Sequence, residues 1–442
     1  MRTSAPLLLF IFLAGANAQS PDLTRCADPD ADASIAACTT VLAANQQEQE
    51  KDKDSFSKAW TYRGFSWLKK NDPDHAIEDF TQAIRLDPQN AWALANRGNA
   101  YFNKRDADRA LKDYDESLRI NPIGYPTLFY GRGTILAARG ETKSAIEQFD
   151  QAISERADYA EAFNGRANAL SDNGQYGLAI EDFTQALKLR DSYLSALGNR
   201  AYAYAAEGRY DRAIEDYTKA IAIKPDARLL RNRGSVYRAR GDSEKAFADF
   251  NESIRLHPFA DAYDARGDAS LEAGQTARAF EDYNEAIRIE AENPDPYLSR
   301  GRAEFTLGQW NKAVADFSKG LELDPTSPYA FFWLHFAQAR GGNKDTPALE
   351  EQAKKIQPEA WPGPIIDILL GKLTPQFALA FASDSDPDKK ATQQCEAEFY
   401  VGEYLLTTRD ASGRDHIEEA ARICSGVTAE SLAAKLQLKR VE

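Results

Sequence analysis

An arginine returns through the middle of this chain at an almost fixed interval, and that interval limits the fold to one kind. Arg63, Arg97, Arg132, Arg166, Arg200, Arg233, Arg266 and Arg300 are separated by 34, 35, 34, 34, 33, 33 and 34 residues. Self-similarity at this period belongs to stacked supersecondary units, not to a single core. Seventeen residues after each arginine stands an aromatic: Phe80, Tyr114, Phe149, Phe183, Tyr217, Phe250, Tyr283 and Phe317. Four residues before each aromatic stands alanine, from Ala76 and Ala110 to Ala279 and Ala313. Alanine and aromatic lie one helical turn apart, so both face the same neighbour. A small residue follows each arginine: Gly64, Gly98, Gly133, Gly234, Gly267 and Gly301, with Ala167 and Ala201 in the other two units. Glycine inside a helix costs about 1 kcal/mol against alanine. It is tolerable only where close helix–helix approach returns more. Segments such as Glu207-Gly208-Arg209 and Ala239-Arg240-Gly241 mark the turn between two helices. Each unit is then a helix pair with an apolar face it cannot bury alone, and the chain is expected to be all-α, its pairs stacked.

The pattern resembles the tetratricopeptide repeat, written W-x2-L-G-x2-Y, then A-x3-F, then P. Gly98, Tyr101, Ala110, Tyr114 and Pro122 of the second repeat all fall in that register. The resemblance covers about residues 55–340. It implies antiparallel helix pairs wound into a superhelical solenoid with a concave groove. One departure recurs: where the family has leucine before the glycine, this chain has arginine every time. Sixteen residues later an aspartate precedes the aromatic (Asp79, Asp113, Asp182, Asp216, Asp249, Asp282, Asp316), and only the third repeat differs, with Gln148. Arginine and aspartate recurring together predict buried pairs inside each hairpin that fix helix register. A catalytic carboxylate would not be copied seven times.

The ends read differently. Arg2, the apolar run Pro6 to Leu13 and Ala16-Asn17-Ala18 make residues 1–18 a secretory signal peptide, cleaved before Gln19. No cysteine follows Leu13-Ala14-Gly15, so no lipid anchor is expected. Export favours disulfides among Cys26, Cys38, Cys395 and Cys424. Residues 19–54 are read as an N-terminal cap in which Asp30 caps a helix from Ser34 to Ala44, bringing Cys26 back onto Cys38. Repeats fill 55–357, eight clear and a ninth degenerate. Residues 358–442 form a C-terminal helical cap: a short helix from Ile365 to Leu370, a polar break from Ser383 to Lys390, then a hairpin and a closing helix between Thr392 and Leu438. Cys395 is placed at the start of the hairpin's first helix and Cys424 at the end of its second, where an antiparallel pair makes them neighbours. The stretch Cys395 to Tyr404 resembles the terminal region of exported bacterial tetratricopeptide proteins, NlpI-type adaptors included, though the lipid-bearing cysteine of those adaptors is missing.

Nothing in the chain makes a nucleophile–base set, a phosphate loop or a metal-ligand spacing. No catalytic residue, cofactor or metal is expected. A formal net charge of -14 speaks against nucleic acid and anionic membranes as non-specific partners. Binding of a protein or an extended peptide remains, on the side of the first helices. Candidate positions are Asn96, Asn99, Asn164, Asn168 and Asn199, then a basic group (Arg228, Arg231, Asn232, Arg238) and an acidic one (Asp261, Asp264, Asp268). Asparagine offers a donor and an acceptor to a peptide backbone. The competing expectation is that the two charged groups neutralise each other. The sequence thus suggests a periplasmic scaffold or adaptor, with a chaperone-like carrier and an exported enzyme as alternatives.

Overall fold

The computed structural model describes residues 21–43, 46–342, 346–356, 361–384, 387–424 and 429–441. The expected signal peptide lies outside them. The chain divides into two compact bodies, residues 1–196 and 197–442. Every regular element among the described residues is a helix.

The N-terminal body opens with α1 (Pro21–Cys26), α2 (Ala31–Leu42) and α3 (Gln46–Lys51). Four hairpins follow: α4 (Lys53–Lys69) with α5 (Pro73–Leu86), α6 (Ala91–Asn103) with α7 (Ala107–Ile120), α8 (Pro126–Ala138) with α9 (Thr142–Glu155), and α10 (Ala160–Asp172) with α11 (Tyr176–Leu189). Repeat five comprises α12 (Leu194–Ala206), in which the body boundary falls, and α13 (Tyr210–Ile223). The C-terminal body continues with α14 (Ala227–Ala239) and α15 (Ser243–Leu256), α16 (Ala260–Glu272) and α17 (Thr276–Ile289), α18 (Asp295–Thr306) and α19 (Trp310–Leu323), then α20 (Pro328–Arg340) and α21 (Thr346–Ala353). Its end holds α22 (Gly363–Leu369), α23 (Pro375–Phe381), α24 (Pro387–Thr407), α25 (Gly413–Ile423) and α26 (Ala429–Val441).

The small residue after each arginine is explained by the aromatic opposite it. A Cβ on Gly98 would stand 2.6 Å from the Tyr114 ring, and one on Gly234 2.7 Å from that of Phe250. The ring therefore lies directly on the first helix's backbone, and it is fully buried there. The turns close through left-handed residues such as Gly208 and Gly241. In repeats one and two Asn71 and Arg105 take that conformation instead. Within each body the first helices of adjacent pairs also touch one another: α4 with α6, α6 with α8, α8 with α10, and in the second body α14 with α16 and α16 with α18.

Each arginine–aspartate pair forms two parallel hydrogen bonds, as in Arg233, whose Nε and Nη2 donate to Asp249 at 2.7 and 2.8 Å. In several repeats within each body the remaining nitrogen reaches backwards. Nη1 of Arg97 donates to Thr81, that of Arg233 to Thr218 and that of Arg266 to Asn251, each on the preceding second helix. One guanidinium thus holds its own hairpin and the one before it. In repeat three, Arg132 has Gln148 and, behind it, Asp115. Burial pushes the Asp79 carboxyl up, opposed by its bonds to Arg63. A buried pair of this kind is a weak net stabiliser but a demanding constraint on geometry.

The same pattern extends into the N-terminal cap. Arg63 Nη1 donates to Thr39, and Ser34 and Cys38 stand in the places of the alanine and the aromatic on α2. Cys38 is joined to Cys26, and the Cα atoms are 4.9 Å apart. A disulfide therefore occupies the position a ring fills elsewhere. Helix α2 begins at Ala31, earlier than Ser34, because Asp30 accepts from the Ala33 amide and starts the helix there. Cys395 is bonded to Cys424, again with 4.9 Å between Cα atoms. It lies in the middle of α24, not at its start. Pro387 suits a first helical turn, and the polar residues after it carry the helix through the second half of the expected break.

Candidate functional site

The candidate residues lie on first helices, and the two bodies treat them differently. In the N-terminal body several asparagines are engaged within the fold. Asn96 is buried and donates to the Trp92 carbonyl at 2.8 Å. Asn99 accepts from the Tyr114 hydroxyl at 2.9 Å. Asn164 is buried, and its Oδ1 is shielded from solvent with no hydrogen-bond partner. Asn168 on α10 also has a partner of its own, as does Asn199 on α12, a residue of the C-terminal body.

In the C-terminal body the basic and acidic groups face each other across adjacent first helices. Arg231 pairs with Asp261 at 2.6 Å, both partly exposed. Arg238 pairs with Asp268 at 3.1 Å and approaches Glu272 at 3.9 Å. Asn232 hydrogen-bonds Tyr217. Arg228, by contrast, is exposed at the start of α14, where its amide donates to the capping Asp226. An exposed pair such as Arg231–Asp261 is worth about 0–1 kcal/mol, so it can open at little cost.

Arg238, Asp264 and Asp268 belong to a covered network. Asp268 accepts from the Tyr283 hydroxyl at 2.9 Å, and Asp264 accepts from Ser299 at 3.1 Å. Arg302 donates to the same Ser299 hydroxyl at 2.8 Å. Burial, with Asp268 beside it, pushes the Asp264 carboxyl up to about 7. The Asp268, Ser299 and Arg302 end of this network lies beneath the chain's own last helix. Leu432 and Leu436 of α26 pack with Leu271, Tyr283 and Ala303. A cavity of about 130 Å³ remains beneath α26, lined in part by Asp268, Ser299 and Arg302. The charged residues pointed to this face, but no local pattern indicates that α26 lies on it. A leucine pair one turn apart in a terminal helix is common wherever helices pack.

Among the described residues no group of three His, Cys, Asp or Glu side chains is placed to hold a metal ion. Nor is any helix there long and apolar enough to cross a membrane.

Tetratricopeptide-repeat sequence profiles match residues 68–104, 91–122, 164–228, 231–296 and 301–342. No curated protein matches the chain. Among solved structures, a tetratricopeptide-repeat protein from Parabacteroides merdae is 23% identical, over 53% of this chain and 93% of its own, with a TM-score of 0.41. Pseudomonas aeruginosa PilF is 18% identical, over 47% of this chain and 94% of its own, with the same TM-score of 0.41. YrrB, described as a TPR protein with an unusual peptide-binding site, is 23% identical, over 47% of this chain and 99% of its own, with a TM-score of 0.38.

Proposed function

We propose, the chain being a member of the tetratricopeptide-repeat family, that it is an exported, non-catalytic scaffold whose first-helix faces form a groove for segments of other proteins. The observation that carries this reading is that one such face already holds a helix, since α26 packs through Leu432 and Leu436 onto α16 and α18. A surface with apolar contacts above a polar, hydrogen-bonded floor suits a peptide segment better than a small substrate. The partners are envelope proteins or peptides met in the periplasm. Asn99, Asn168 and Asn199 are assigned to backbone contacts. Arg228, Arg231 and Asp261 orient a charged segment, since a reversed one would meet like charge.

The export half has its own measurement. Intact protein from its native compartment is expected to begin at Gln19, and reduction should add the mass of four hydrogens. Retention of Met1, or four free thiols, would remove the periplasm from the account.

The binding half is tested by photo-crosslinking. A crosslinker placed at Asn99, Arg228 or Asp261, on first helices, is expected to capture envelope partners several-fold more efficiently than one at Lys112 or Arg288. Those two are exposed on second helices. Equal yields from both sets would defeat a groove on the first-helix side.

A further inference from the structure

We infer that the α16–α18 face is a helix-binding site held shut by α26, and that its external ligand is an amphipathic helix with two leucine-like side chains one turn apart and a hydrogen-bond donor on the same stripe. This rests on the scaffold reading above and names the ligand and its competitor for one part of the groove.

Helix α26 belongs to two neighbourhoods. On one side Glu430 accepts from the buried Tyr400 hydroxyl at 2.7 Å, and Ala434 lies in the core of the C-terminal cap. On the other, Leu432, Ala433 and Leu436 reach the first-helix face. The cap side is buried, with Glu430 and Ala434 shielded from solvent. The face side is not: the cavity persists, and the two leucines are only partly buried. Protein interiors are normally packed without such space.

The floor of the cavity says what would fit better. The cavity lining carries Asp268 and Arg302, one charge of each sign, so a strongly charged ligand has no advantage there. Directly behind the lining Ser299, whose hydroxyl donates to Asp264, one oxygen is left over: Asp264 Oδ1 is shielded from solvent and has no hydrogen-bond partner. A buried acceptor without a donor is unfavourable, and a ligand that supplies one gains where α26 does not. The face-side residues of α26 are Leu432, Ala433 and Leu436, none of which has a side-chain donor. A lysine, arginine or glutamine beside the leucine stripe of an incoming helix would supply it.

Because α26 is tethered, it competes at a high effective concentration and lowers the apparent affinity of any external helix. The Cys395–Cys424 disulfide anchors the chain just before α26, so the competitor can leave the face while its point of attachment stays fixed.

The test uses the full chain and a fluorescent peptide with the sequence of residues 429–441. Leu432→Ala combined with Leu436→Ala in the protein should raise affinity for the peptide by about tenfold or more, as removal of a tethered competitor does. A peptide in which leucine 436 is replaced by lysine should lose binding. A second measurement needs no variant: excess peptide should speed hydrogen exchange of α26 in the parent while α24 and α25 stay protected. Equal peptide affinity of parent and variant, with α26 exchange unaffected, would overturn the inference. So would a folded variant that dimerises by exchanging α26, because the occupant would then be a second copy. Failure here with crosslinks retained at Asn99 leaves the scaffold reading intact. The reverse outcome removes that reading and keeps this site.

Discussion

Arg200→Ala is expected to unfold at a clearly lower denaturant concentration than the parent, with a loss of about 3–5 kcal/mol. Arg200 donates from Nε and Nη2 to the two oxygens of Asp216, at 2.7 and 2.9 Å. The aspartate side chain is only 3% exposed. Removing the arginine leaves a carboxylate buried without its counter-charge, and that is the source of the cost. It is not a measure of the pair's net worth. Replacing both groups, Arg200→Met with Asp216→Leu, should therefore recover much of the loss, since apolar side chains of similar size need no counter-charge. Chemical denaturation of the parent, the single variant and the double variant decides the matter. A single variant with an unchanged midpoint would mean that Asp216 is not held as described.

Phe250→Ala should be comparably severe, at about 3–5 kcal/mol. The ring is fully buried against Gly234 and fills the space between the two helices of its hairpin. Gly234→Ala approaches the same contact from the other side, because its Cβ would stand 2.7 Å from the ring. Overpacking of this order costs about 1–3 kcal/mol. The two positions share one space, so Phe250→Leu with Gly234→Ala should cost less than the sum of the separate changes. Strict additivity would show that the ring and the helix backbone are not in direct contact.

Much of this was legible in the sequence because it was written many times. The period, the Ala-x3-aromatic pair and the arginine–aspartate partnership each rest on repetition, which separates a rule from an accident. Legible too, though not read, was the polar residue directly after each aromatic. Thr81, Thr218 and Asn251 hold the third nitrogen of the next arginine, and the same register would have revealed Cys38-Thr39 as a repeat's second helix. The fate of the candidate groove was not legible. Arg238 and Asp268 were visible as charges of opposite sign, but their pairing depends on how adjacent first helices approach. The covering of Asp268 by α26 depends on a contact between residues more than a hundred positions apart. No local pattern encodes such a contact. The middle placement of Cys395 in α24 was missed for a simpler reason: polar residues after Pro387 read as a break, yet proline and aspartate both suit the first turn of a helix.

The backward reach of these guanidinium groups within each body has a consequence for how the stack there comes apart. In a linear array, melting is governed by the stability of each link and by the coupling between neighbours. A group bonded to two consecutive hairpins contributes to both terms at once. Fraying one hairpin then strips its neighbour of a hydrogen bond as well, which sharpens the boundary between ordered and melted stretches. Repeat three is the exception, since Arg132 faces a neutral amide on its own second helix and a more exposed Asp115 behind it. With the weakest clasp in the N-terminal body, it is the joint at which an advancing melting front would find the least resistance.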